Sequence, residues 1–150
     1  MADVRTYQEH RNKLEGAHAL RRYLQAGRFG VVTLCSPSGI HHTYNVMVSV
    51  DPTNNTEFMR VSCKVLNKWV NLGTVVSQTK MVMNKDAKHL ADSEEARGAI
   101  YLYRMVTKPS MNTQMEVYHE GVCSVCGRPL RDPKSIKVGI GPRCRQRTER

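Results

Sequence analysis

Apolar side chains near the start of the chain recur at helical intervals. Leu14, Ala17, Leu20, Tyr23 and Leu24 share one face, and Arg11, Glu15, His18, Arg22 and Gln25 occupy the rest of the wheel. This predicts an amphipathic helix over residues 8–26, with Gly27 as its stop. The period then changes to two. Residues 29–35 are a β-branched run, Ser36-Pro37-Ser38-Gly39 is turn chemistry, and over residues 40–50 Tyr44, Val46, Val48 and Val50 alternate with Thr43, Asn45, Met47 and Ser49. A β-hairpin is expected there. A polar loop over 51–56 precedes two more strand candidates at 58–65 and 69–76, so an antiparallel meander of three or four strands follows. Residues 78–90 show no clean period and read mostly as loop, with room for one strand around Met81, Val82 and Met83. Asp92 and Glu95 stand at capping-box spacing ahead of Ala96, Ala99, Ile100 and Tyr103, which predicts a helix over 93–106, weakened slightly by Gly98. Lys108-Pro109-Ser110-Met111-Asn112 reads as a hinge.

The pattern predicts the α+β class: an antiparallel β-meander with flanking helices over residues 1–112 and a C-terminal zinc-knuckle or treble-clef-like module over 113–150. Composition narrows the setting. With 40% hydrophobic and 24% charged residues in 150, the chain has apolar content for a modest core. No run approaches the roughly 18 to 20 apolar residues of a spanning helix, and the first residues are polar rather than signal-like, so a cytoplasmic protein without a membrane partner is expected. The formal net charge is +10, with +3 over residues 1–28, +2 over 29–118 and +5 over 119–150. The last fifth therefore holds half of the excess, which favours anionic partners such as nucleic acid.

That same segment holds three of the five cysteines. His119, Cys123, Cys126 and Cys144 are spaced H-x3-C-x2-C-x17-C. A C-x2-C pair bends around one ion so that both thiolates ligate it, and glycine after the second cysteine, here Gly127, permits the tight knuckle. Leu130 would pack beneath it. Zinc fits an odd cysteine count in a chain without a secretory signal better than disulfides do. His119 is taken as the fourth ligand because it is the nearest soft donor. A closed Cys3His shell leaves no open position, so the ion's expected role is structural. Cys35 and Cys63 read as small apolar strand residues, and the adjacent His41 and His42 point to opposite faces of a strand, which disfavours a shared role.

The stretch from His119 to Cys144, HEGVCSVCGRPLRDPKSIKVGIGPRC, resembles the C-terminal signature of a family of small phage and prophage proteins of unknown function, in which HEGxCxxCGRxLxxPxSIxxGxGPxC recurs. The resemblance covers about the last 30 residues. It extends loosely over 29–76, where the family commonly has a turn like Ser36 to Gly39 and a strand like Trp69-Val70-Asn71-Leu72-Gly73; residues 78–92 depart from it. It implies His119, Cys123, Cys126 and Cys144 as zinc ligands and Gly127 and Gly141-Pro142 as turn residues. It implies no activity.

Three functions compete on these residues. Nucleic-acid binding through phosphates is the first, carried by Arg128, Lys134, Lys137, Arg143, Arg145, Arg147 and Arg150, with Tyr44 or Trp69 on the sheet as possible stacking partners. The second is docking to a host protein, with zinc serving only rigidity and methionines supplying adaptable contacts. Enzymatic activity is the third and is disfavoured, because no further His and Asn or Asp gather after Cys126 to hold a hydrolytic ion; no small-molecule substrate is evident.

Overall fold

Alternation of apolar and polar residues makes a sheet with one face for a core and one for solvent. The computed structural model describes residues 12–26 and 30–148, with side chains to residue 146. Its strands are β1 (Lys13–Leu14), β2 (Gly30–Cys35), β3 (His41–Val50), β4 (Glu57–Val65), β5 (Lys68–Val75), β6 (Met81–Met83) and β7 (Glu116–His119). They form one seven-stranded sheet in the order β1-β7-β2-β3-β4-β5-β6, antiparallel at every pairing. The helices are α1 (Ala17–Ala26), α2 (Glu94–Thr107), α3 (Pro133–Val138) and α4 (Pro142–Thr148), with a 3-10 helix over Lys85–Leu90. The class is α+β, as the pattern predicts.

The core lies between one sheet face and the two longer helices. Leu20, Tyr23 and Leu24 of α1 and Ala99, Leu102 and Met105 of α2 pack with Val32, Tyr44, Val46, Met59, Val61 and Leu72. Tyr44 is wholly buried, and its hydroxyl donates to the Glu95 carbonyl at 2.7 Å. It is therefore no stacking platform, whereas Trp69 is 47% exposed on the opposite face. Met59 and Met105 are buried, and Met47, Met81, Met83, Met111 and Met115 are half-buried, so these methionines supply little open contact surface. Among the described residues no helix is long and apolar enough to cross a membrane.

Several elements differ from expectation. The first helix begins at Ala17 rather than residue 8, because Leu14 joins β1 and buries its side chain as a strand residue. Residues 8–11, the stop at Gly27 and Phe29 lie outside the described residues. Five strands meander, β2 to β6, and β7 and β1 extend the sheet. The 78–90 stretch becomes β6 and the 3-10 helix, whose first turn is capped by the Asn84 side chain accepting from the Asp86 amide. Ser93, not Asp92, caps α2, with its hydroxyl accepting from the Ala96 amide at 3.2 Å. Beyond the 112/113 boundary, β7 enters the main sheet between β1 and β2. The terminal segment is thus fastened to the sheet by its first strand.

Candidate metal centre

From β7 the chain turns into a short knuckle. Val122 pairs with Pro129, the Cys123 amide donates to the Arg128 carbonyl at 2.9 Å, and the Gly127 amide donates to the Cys123 carbonyl at 2.9 Å. Gly127 sits at φ 76°, the left-handed region that a β-carbon disfavours. Asp132 caps α3, its carboxylate accepting from the Ser135 amide at 3.0 Å, and Pro133 opens the helix. A second glycine-rich turn leads into α4, whose first turn carries Cys144. Knuckle and helix start thereby meet.

The ligand atoms of Cys123, Cys126 and Cys144 all lie within 4.8 Å of one another. Cys123 and Cys144 are buried and Cys126 is exposed. The amides of Gly141 and Val125 donate to the Cys123 sulfur at 3.2 and 3.4 Å. Burial opposes ionisation of Cys123, but these amides, that of Cys126 and the Cys126 thiol outweigh it and draw the thiol down to about 7. Burial pushes Cys144 up to about 11, helped by the two neighbouring sulfurs. Three soft donors with oriented N–H groups behind one of them suit a thiophilic ion such as zinc.

His119 stands apart from this cluster. Its Nδ1 accepts from the Gly121 amide at 2.9 Å, and its Nε2–H donates to the Ile136 carbonyl at 2.5 Å. Both ring nitrogens are therefore engaged with backbone, in the neutral Nε2–H tautomer. The ring is 3% exposed and stacks on Tyr23 with centroids 5.7 Å apart. Burial lowers its pKa, and the bond to Ile136 offsets part of that. The expected Cys3His set is reduced to three thiols; among the described residues no fourth His, Cys, Asp or Glu joins the cluster. His119 instead ties the knuckle and α3 to α1. Tyr23 was legible only as an apolar helix position, so its partnership with His119 had no local signal.

A cavity of about 460 Å³ opens beside the three sulfurs, lined among others by Arg128, Arg131, Asp132 and Arg143. Arg128 and Arg143, which the sequence predicts at an anion-binding face, are joined there by Arg131, which follows the Leu130 packed under the knuckle. Lys134 and Lys137 are exposed on α3. Arg145 is half-buried and acts electrostatically on Asp132, helping to hold that carboxyl below its ordinary range after the Ser135 hydrogen bonds. The Arg147 side chain and Arg150 lie outside the described residues.

Residues 113–148 match the model of a family described as Family of unknown function (DUF6011). The match takes in β7, the knuckle, α3 and α4. No curated protein and no solved structure matches the chain. Cys35 and Cys63 remain far from the cluster as strand residues, and burial pushes the Cys63 thiol up to about 12.

Proposed function

We propose that this is a non-enzymatic, phage-type accessory protein in which one structural zinc ion, held by Cys123, Cys126 and Cys144, orders a basic segment that binds nucleic acid through its phosphates. The observation that carries the reading is the thiol cluster within 4.8 Å, rimmed by Arg128, Arg131 and Arg143. A structural role for the ion is supported by the size of the terminal core. Its buried residues are Cys123, Ile140 and Cys144, backed by Leu130, Val138 and Ala26, so two of the three are themselves ligands. Without a metal cross-link so few apolar contacts leave the segment marginal.

Three thiolates and Zn2+ sum to −1, and the arginines on the rim exceed that charge, which leaves a cationic face for phosphate oxygens. With His119 engaged by backbone, the fourth position of a tetrahedral zinc falls to water or another donor, so the structural role rests on the size of this core and not on a closed shell. Five free cysteines fit a reducing cytoplasm, and the phage-type reading rests on the HEGxCxxCGRxL signature. The test is binding of metal-quantified protein to DNA and RNA across a salt series, before and after chelation. With three to five phosphate contacts the log–log salt slope should be about −3 to −5, and chelation should weaken binding at least tenfold. Binding that ignores both salt and chelator would defeat this reading and turn the search to a protein partner.

A further inference from the structure

The sheet face turned away from α1 and α2 has no covering element among the described residues over β3 to β6. Its positions follow from the register. One row runs Val31, Asn45, Ser62, Asn71; the next runs Met47, Arg60, Thr74, Val82; and Lys64 stands opposite Trp69. Asn71, Arg60, Lys64, Trp69 and Val82 are exposed. A cavity of about 600 Å³ lies on this face, lined by Asn45, Arg60, Ser62, Asn71 and Thr74 together with Met47 and Val82, among others. The Lys64 ammonium sits 5.9 Å from the Trp69 ring centroid.

Charge on this face has one sign. Alternation places Glu57, the lone carboxylate within β3 to β6, on the helix-facing side, where it pairs with Arg21 at 3.0 Å. The open side therefore offers two cations, amide and hydroxyl groups and one exposed indole, with no acid within those four strands. Met47, Val82 and Met83 also line the cavity, so what favours an anionic strand over a protein partner is the one-signed charge and the exposed indole, not a lack of apolar surface. A broad sheet does not enter a duplex groove, which admits a helix or a two-stranded ribbon.

We infer that the open face of β3 to β6 is a second contact surface, which takes single-stranded nucleic acid. A base stacks on Trp69, Arg60 and Lys64 meet phosphates, and Asn45, Ser62 and Asn71 hydrogen-bond to base edges or sugars. The inference rests on the nucleic-acid reading and adds to it a strand preference that the terminal arginines alone do not produce.

Trp69 is the single tryptophan of the chain, so its emission reports this face alone. An oligothymidylate of about 15 nucleotides titrated into the zinc-loaded full chain should quench that emission with the same midpoint as binding measured by anisotropy of a labelled strand. Trp69→Ala and Arg60→Glu should each weaken single-strand binding about tenfold and leave duplex binding near that of the parent. Arg128→Glu with Arg143→Glu should weaken both. Binding that leaves the indole emission unchanged and is indifferent to Arg60→Glu would overturn the sheet surface and leave the arginine face standing. Absence of binding to any nucleic acid would remove both. Should Trp69→Ala fail to fold, quenching in the parent and the effect of Arg60→Glu still decide.

Discussion

His119 shows how a residue's chemistry depends on what its neighbours ask of it. Beside a C-x2-C pair, a histidine reads as a soft donor, yet here its two nitrogens satisfy a half-buried amide and a buried carbonyl. Spacing along the chain cannot separate these roles, because the decisive contacts come from Ile136 and Tyr23, distant in sequence. The roles predict different outcomes for His119→Ala. Truncation leaves the Gly121 amide and the Ile136 carbonyl unpaired and should cost about 1–3 kcal/mol, with zinc stoichiometry and the thiolate charge-transfer bands of the cobalt form unchanged. Loss of the metal would instead restore the imidazole as a ligand. The pH dependence gives a second check. The folded pKa is depressed, so as pH falls through the ordinary value of about 6.5 the unfolded chain takes up the proton first and stability is lost, levelling off below the folded pKa. The gap between parent and variant in denaturant midpoint should therefore narrow from pH 8 to pH 5, while contributions common to both cancel.

At the scale of elements, local pattern located most of what local physics decides. The hairpin, the β4 and β5 strands and α2 appear within a residue or two of where alternation and helical spacing put them. The missed strands share a cause. β1 and β7 are short and exist because a partner is already in place, and nothing in a two-residue or four-residue run announces that partner, whereas β6 falls on the Met81–Met83 run where the pattern left room for a strand. Gly98 illustrates a local rule overruled by packing. In an isolated helix glycine is worse than alanine by about 1 kcal/mol, so Gly98→Ala should stabilise α2. In the folded protein a β-carbon there would stand 2.2 Å from the Tyr44 hydroxyl and 3.2 Å from its Cζ. That hydroxyl is held by the Glu95 carbonyl, so neither the ring nor the helix yields freely. Gly98→Ala should therefore destabilise by about 1–3 kcal/mol. In a Tyr44→Phe background, which removes the oxygen, the penalty should fall by half or more; a double-mutant cycle read by urea denaturation measures the coupling. Equal penalties in both backgrounds would locate the crowding elsewhere.

At the scale of the molecule, the question is where one cooperative unit ends and the next begins. Composition and the Lys108-Pro109 hinge placed that junction at 112/113, but β7 is hydrogen-bonded on both sides within the sheet. The packing divides later in the chain. One core joins the sheet to α1 and α2 and includes Val117, while a much smaller one holds Cys123, Ile140 and Cys144. The large core has no ligand in it and should survive without metal; the small one is built around its ligands and should not. Hydrogen exchange of the zinc-loaded chain before and after chelation tests this directly. Amides from Cys123 to Cys144 should lose protection on chelation, whereas those of Val46, Val61 and Leu102 should keep theirs, and the change should set in just after His119, the last residue anchored in the sheet. Protection lost together across both regions would mean that the Tyr23–His119 stack couples them into a single unit, and that the ion stabilises the sheet as much as the knuckle. Unchanged protection throughout would mean that the thiols fold the segment without an ion and would remove the structural role assigned to zinc.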